Sequence, residues 1–573
     1  MFLSFIAPRR YAFVFFLLLS FLSNPPSLRA QDALLDLLQD ELNREMAALK
    51  TQELPPYFIS YAVSDVHNTS ISASFGTITR SDQNDERMLS VIVRAGDYRL
   101  DNTHQLRGEF DFGLRLPSFM RMAREPNPEA LRLALWQETN AEYRKAAERY
   151  LKVKANVAVK VAAEDTSADF SHEAKSPNFY EPAIDAKTLL GNRAVWENKA
   201  RKYSALFLKN KNIYGGQAWF SFAIERKHLV TTEGIKLAQN LIYTRLFVTG
   251  FIKADDGMEL PLYLSYFAFK PNDLPKDEVI LAEVEGMIKK LDALRQAPVV
   301  DPYTGPAILS GRAAGVFFHE IFGHRIEGHR QKREEEGQTF KKKIGEKILP
   351  EAFNVVFDPT LKNYAGRELV GFYQYDDEGV AARRTPVVEN GVFKSFLMSR
   401  SPVEGFPHSN GHGRAQAGFR AVARQSNLIV ESGSPVAEAE LRRLLIEECK
   451  KQDRPFGLLF KDIQGGFTMT GRTIPNAFNV LPTEVYRVYT DGRPDELVRG
   501  VDLVGTPLVM FSMITHAGDK VDFFNGVCGA ESGGVPVAAA SPALLVSQVE
   551  VQKKSKSQER PPILPRPDTE PTM

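Results

Sequence analysis

The sequence predicts an α+β protein of mixed helices and antiparallel sheets, with an N-terminal α+β region followed by a β-rich C-terminal domain. Three patterns carry this. Apolar residues recur at helical spacing in separate blocks, as in Leu34, Leu38, Leu42 and Met46. The stretches between those blocks alternate polar and apolar residues and end in glycine-containing turns. From about residue 350 onward, strand patterns dominate. A length of 573 residues implies more than one domain, and 43% hydrophobic residues suffice for their cores. Lys+Arg number 72 against 71 Asp+Glu, and no basic stripe is interleaved with aromatics. That balance gives no electrostatic case for nucleic acid.

In chain order, Arg9 and Arg10 precede the apolar run Tyr11–Leu22 and a polar stretch ending at Ala30. This reads as a secretory signal over 1–30, cleaved near Ala30, and places the mature protein in the periplasm or outside the cell. An uncleaved anchor is the alternative. No later apolar run approaches the ~20 residues that cross a bilayer, so no stable span is expected after cleavage.

Residues 31–296 form the N-terminal region, in subregions 31–115 and 116–296. A helix is expected over 34–49. YFISYAVSD, SISASFGTITR and ERMLSVIVRAG follow as antiparallel strands. Asn127-Pro128 caps and opens a long polar helix to about Lys154. Strands fill about 217–270, with a turn at Asp256-Gly257, and an amphipathic helix covers 278–294. APVVDP, 297–302, reads as a linker.

Residues 297–550 form the second domain. The charged run 330–347 reads as a solvated face or mobile loop, with room for a lid role. Glu389-Asn390-Gly391 and Asp491-Gly492 mark hairpins, and a helix at 437–451 places Leu441, Leu445 and Cys449 on one face. The proline-rich tail, 551–573, is expected to be disordered.

Inside FFHEIFGHRIEGHR, 317–330, His319-Glu320 is followed by three residues and His324. Clustering two histidines and a glutamate in an apolar segment is unfavourable unless each is paired or metal-bound. Histidines four apart differ by about 40° around a helix, but five apart by about 140°. Both can face one ion only if the helix bulges or breaks near Gly323, whose backbone tolerates the distortion. A catalytic zinc takes three protein ligands and keeps a fourth position open. Candidates for the third donor are the two cysteines, Cys449 and Cys528, and His408, His412 and His516. Cys528 sits in NGVCGAESGG, read as a glycine-flanked loop with an accessible thiolate, whereas Cys449 reads as core. A Cys449–Cys528 disulfide is the competing use of both.

The block HEIFGHRIEG, 319–328, resembles the H-E-x-x-x-H-x-x-E-G motif of the TldD/PmbA family of metalloproteases. GVCG at 526–529 with SGGVPV, YDDEG at 375–379, RTP at 384–386, ENGV at 389–392 and LVRG at 497–500 match further family stretches in the right order. VRAGDYRLDNT, 93–103, resembles the family more loosely. The resemblance implies His319, His324 and Cys528 as ligands of one zinc ion per subunit, and Glu320 as the general base that takes a proton from the activated water. It implies a homodimer, or a heterodimer with a related subunit, acting on peptides or unfolded polypeptides. The expected export sets this chain apart from relatives that lack a leader. Glu327 belongs to the matched block as either an orienter of a histidine or a surface ion pair. Asp376-Asp377-Glu378 reads as a turn, with a cation site as the alternative. His408 and His412 read as a flexible loop. His516 is the substitute ligand should Cys528 not serve. The competing functions are a non-catalytic or assembly subunit and a zinc hydrolase acting on a non-peptide amide.

Overall fold

The computed structural model describes residues 32–106, 117–159, 165–333, 335–472 and 478–554. The expected signal, 1–30, and the tail from 555 lie outside the described residues. The fold is α+β, as the sequence predicts. Among the described residues, no helix is long and apolar enough to cross a membrane.

The N-terminal half is built on one sheet. Helix α1 (Ala33–Leu49) is capped by Asp32, whose carboxylate accepts from the Leu35 N–H. Strands β1 (Pro56–Ser74) and β2 (Thr77–Ala95) form a long hairpin. Its turn is Phe75-Gly76, with φ of 46° and 83°, the pair of positive values a type I′ turn needs. That turn lies inside SISASFGTITR, so three expected strand stretches become two strands. Helix α2 (Pro128–Val159) starts on the Asn127 side chain, which accepts from the N–H groups of Glu129 and Ala130. Then come α3 (Arg193–Ala205), β3 (Ile213–Thr231), β4 (Lys236–Lys253), β5 (Glu259–Ala268) and α4 (Asp277–Gln296). The seven-stranded sheet runs Met120–Arg121, β2, β1, β3, β4, and both Phe179–Tyr180 and β5 pair with β4. Strand β1 pairs β3 from Ser60↔Thr231 to Ser74↔Gln217, so the two expected subregions share one sheet.

Alternation divides that sheet into two faces. Ile71, Phe220, Leu246 and Val248 pack with Trp196, Tyr203, Ile280 and Leu291 of α3 and α4. Ile59, Tyr61 and Leu89 pack with Leu38 and Leu42 of α1 and Leu131 and Leu135 of α2. Lys227, Gln239, Arg245 and Phe247 stand on the opposite face, toward the C-terminal half.

In the C-terminal half, β6 (Tyr303–Leu309) leads into α5 (Gly311–Ile321). Next are β7 (Phe353–Phe357), β8 (Thr385–Glu389), β9 (Val392–Phe393), β10 (Asn427–Ser432) and α6 (Glu438–Lys451). They are followed by β11 (Phe456–Thr468), β12 (Phe478–Tyr489), β13 (Glu496–Val498), β14 (Val501–Gly505), β15 (Ile514–Ala530) and β16 (Gly533–Lys553). The eleven-stranded sheet runs β9-β8-β7-β10-β16-β14-β12-β11-β6, with β13 on β12 and β15 on β16. Strand β6 also pairs back with β16, closing β16, β14, β12, β11 and β6 into a ring. Helix α5 packs on β11, β15 and β16, and all its residues except Arg312 and His319 are buried. A helix apolar nearly all round needs such surroundings. The β8–β9 hairpin turns at Asn390-Gly391, φ 49° and 76°, as the sequence predicts.

Two expected boundaries shift. The 297–302 linker is docked: Val300 N–H donates to the Arg499 carbonyl, and Ala297 and Val300 are buried. The last strand runs through Lys553, pairing Val501↔Lys553, so 551–553 belong to the sheet and not to a disordered tail.

The 375–379 stretch joins the halves. Asp377 pairs with Lys227 at 2.6 Å, and Tyr375 exchanges hydrogen bonds with the Gln239 side chain. Close by, Arg400 pairs with Glu233 at 2.6 Å and donates to the Ser171 carbonyl. Asp376 accepts from the N–H groups of Glu378, Val380 and Gly413, which makes the expected turn. Burial, and next the neighbouring Glu378, push the Asp376 carboxyl well above its usual range; burial also raises Glu378. A carboxyl with a raised folded pKa binds more protons folded than unfolded. Stability is therefore full below about pH 4 and falls as pH rises through the raised values. Glu378→Gln should relieve this repulsion, raising stability at pH 8 by about 1 kcal/mol, a shift of ~2 °C in melting temperature, with less gain at pH 5. Thermal melts at the two pH values check it; an equal or lower melting temperature at pH 8 would count against the shared-charge account.

Candidate metal centre

The site begins with where α5 stops. Ser310 caps its start, the hydroxyl accepting from the Ala313 N–H. The α-helix ends at Ile321, Phe322 departs to φ −118°, and a 3₁₀ turn covers Gly323–Ile326. The break falls between the two histidines, where the spacing requires it. The rings of His319 and His324 come to 5.0 Å between centroids, 80° from coplanar. Gly323 serves differently from expectation. Its φ is not positive; instead a Cβ there would lie 1.9 Å from Gln425 Oε1. Gln425 fills that space and donates to the His319 carbonyl at 3.2 Å, holding the end of the helix.

Cys528 arrives from β15, not from a loop, and its residue pairs with Val535. The chain turns three residues later, at Glu531-Ser532, so the thiol is buried and not accessible as the glycines suggested. Cys528 Sγ lies 3.3 Å from His324 Nε2. Ligand atoms of His319, His324 and Cys528 all lie within 4.8 Å of one another, the one such group among the described residues. Burial would raise the Cys528 pKa, but His324 and then His319 outweigh it and draw the thiol well below its usual value. Arg424, fully buried, donates to Cys528 Sγ at 3.2 Å and to its carbonyl at 2.6 Å. Both partners therefore favour a thiolate.

Behind the histidine lies a chain of buried charge. His324 Nδ1 is 3.3 Å from Glu327, leaving Nε2 for the cluster. Glu327 is wholly buried and accepts from Arg330 at 2.8 Å, with Arg424 Nε at 3.5 Å. Burial opposes its ionisation, yet His324, Arg330 and Arg424 hold the carboxyl down at about 2. Arg330 also pairs with Glu531 at 2.7 Å and Glu336 at 3.1 Å. Glu531 accepts from His329 at 2.5 Å. The start of the charged run is therefore a largely buried network and not a solvated face, since Arg330, Lys332, Arg333 and Glu336 each have an opposite partner. Glu327 is the orienter of a histidine rather than a surface ion pair.

Glu320 stands beside His319 on the wall of a cavity of about 520 Å³. The cavity is also lined by Arg245 and Tyr263 of the N-terminal sheet, by Gly465–Thr468 of β11 and by Gly526–Ala530 of β15. A Cβ on Gly466 would come within 2.8 Å of Glu320 Cγ, so β11 packs directly on this carboxylate.

The other sequence candidates separate. Cys449 and Cys528 are both free. Cys449 is buried with Leu441, Leu445 and Val488, and burial pushes its thiol up to about 11. His412 is not on a flexible loop: it is fully buried, its Nε2 is 3.0 Å from Ser426 Oγ, and burial lowers its pKa to about 3. His408 is exposed near Glu173, and His516 is exposed on β15. The carboxylates of 376–378 do not gather as a metal group.

Residues 302–553 match the PmbA/TldA metallopeptidase C-terminal domain. A metalloprotease of Archaeoglobus fulgidus is 31% identical over 241 residues, covering 42% of this chain and 51% of that protein. Residues 302–553 thus resemble the C-terminal domain of the TldD/PmbA family. A second relative, named a zinc metalloprotease TldD homolog, comes from Saccharolobus solfataricus; it is 26% identical over 253 residues, 43% of this chain and 51% of its own. The chain thus spans about half the length of the curated relatives it matches. The fold extends the similarity over both halves. The crystal structure of TldE from Thermococcus kodakarensis superposes with a TM-score of 0.58 at 15% identity, covering 90% of this chain and 99% of that one.

Arg424, Glu531 and Gln425 carried no motif signal and were found only through the fold. Gln425 gives the most direct check on the helix break. Gly323→Ala should lower the melting temperature and reduce zinc affinity, because its Cβ displaces the Gln425 side chain. Adding Gln425→Ala should restore much of both. If Gly323→Ala alone binds zinc like the parent protein, the close packing at the break is not what aligns the histidines.

Proposed function

We propose that the protein is a zinc-dependent peptidase acting on peptides or unfolded polypeptides. The observation that carries this is the convergence of His319, His324 and Cys528 beside Glu320 in one cavity. Two imidazoles and a thiolate are a zinc donor set, and three protein ligands leave a position open toward the cavity. Tetrahedral donors at zinc bond lengths stand roughly 3.4–3.6 Å apart, close to the 3.3 Å between His324 and Cys528. The names of the relatives support the metal and the activity.

His319, His324 and Cys528 would hold the ion. Zinc supplies Lewis acidity to water and to the scissile carbonyl. Glu320 takes the proton from the attacking water and returns it to the departing amine. Glu327 keeps His324 with Nδ1 protonated and Nε2 free to ligate. Arg424 keeps Cys528 ionised. The cavity has the size of a typical ligand pocket and is walled by both halves, which favours an extended chain over a folded protein.

Assembly as a homodimer, or with a related subunit, belongs to the same proposal and is supported by the fold shared with a TldE. Export rests on the composition of residues 1–30. Light scattering and N-terminal sequencing of the mature protein address both; an active monomer, or an intact Met1 on cytoplasmic protein, would reject them.

Glu320→Gln should keep its zinc and lose at least ~10²-fold in rate, since it removes a base and not a ligand. His324→Ala should lose zinc and activity together. Metal analysis with a peptide-library cleavage assay separates these. Loss of zinc from Glu320→Gln would make Glu320 a ligand, and full activity would move catalysis elsewhere.

A further inference from the structure

The cavity that holds the metal candidates is lined by two arginines with opposite surroundings. Arg330 is held by three carboxylates, Glu327, Glu336 and Glu531. Arg245 has no carboxylate partner among the described residues. Its Nε and Nη2 share one acceptor, the Ser265 hydroxyl, each at 3.3 Å. Its guanidinium lies over the Phe247 ring, 5.3 Å from the centroid. The adjacent Arg312 is neutralised by Asp462 at 2.8 Å and adds repulsion. Burial, with that repulsion, lowers the Arg245 pKa.

A half-buried cation without a counter-ion is costly for the folded protein. The surrounding wall is built to hold it. Phe247 stacks on Tyr263 at 5.1 Å, and the Tyr263 hydroxyl donates to the Ile463 carbonyl at 2.6 Å and accepts from Arg312 at 2.7 Å. That carbonyl belongs to β11, whose Gly466 packs on Glu320. The wall that carries Arg245 is thus tied, through Tyr263, to the strand that backs Glu320, and three of the five Arg245 N–H donors have no acceptor among the described residues. A planar guanidinium in that state suits bidentate pairing with a carboxylate.

We propose that Arg245 is a specificity-determining residue that takes a carboxylate of the peptide substrate, either its C-terminal carboxylate or an Asp or Glu side chain. The assignment rests on the peptidase reading and names the substrate class for the same cavity.

The test uses zinc-loaded protein carrying Glu320→Gln, whose slowed turnover lets binding be read by itself. Short unstructured peptides are titrated by calorimetry in matched forms: free acid against C-terminal amide, and Asp or Glu against Asn or Gln. One carboxylate-bearing form should bind about 10- to 100-fold more tightly than its neutral match. Adding Arg245→Gln should bring that ratio near one, and Arg245→Lys should leave part of it. A loss on amidation identifies the C-terminus, and a loss on side-chain neutralisation identifies the acidic residue. A ratio near one before Arg245 is changed, or a ratio that survives Arg245→Gln, overturns the assignment. Cleavage of the same pairs by the unsubstituted protein keeps the two ideas apart. Discrimination in binding without cleavage would defeat the peptidase reading alone, and cleavage without discrimination would defeat the Arg245 assignment alone.

Discussion

Side chains five apart on a regular helix point about 140° away from each other. His319 and His324 can share a target only because α5 ends between them, and much of the C-terminal half serves that end. The helix is buried on nearly all sides, so its axis is fixed by the strands around it. Gln425 occupies the space that Gly323 leaves open and ties down the His319 carbonyl. The 3₁₀ turn then redirects the chain so that His324 faces a strand, β15, which brings Cys528 from two hundred residues further along.

The second constraint is charge. A thiol, two carboxylates and two arginines are largely buried together, and each charge would be costly alone. They are arranged instead as a continuous alternation: Cys528, Arg424, Glu327, Arg330 and Glu531. Removing one partner would leave its neighbour unpaired, so the network holds the histidine and the cysteine in one geometry. The first residues after the histidine motif carry this network and for that reason cannot be a free surface.

Helix and hairpin positions were legible in the sequence because they depend on local chemistry. Asn127-Pro128, the Asn390-Gly391 turn and the apolar face of α6 all act through near neighbours. The need for a break near Gly323 was legible from helix geometry, but its means was not, since Gln425 lies a hundred residues away. The strand setting of Cys528 was missed because glycines on both sides resemble a loop. Burial of Arg330 and Glu336 was missed because Glu531, the further acid that pairs with Arg330, comes from a distant turn. Arg245 gave no signal at all, because its lack of a paired carboxylate among the described residues is set by the fold.

The two halves contribute different things. The C-terminal half supplies the candidate metal donors and Glu320, and the N-terminal sheet supplies the aromatic and cationic wall opposite them. Everything proposed about function depends on the three donors closing on one ion. Zinc-edge X-ray absorption of the zinc-loaded protein measures this directly. The account predicts one sulfur at about 2.3 Å and two imidazole nitrogens at about 2.0–2.1 Å, with a light-atom ligand in the remaining position. A zinc shell without sulfur, or with a single imidazole, would contradict it.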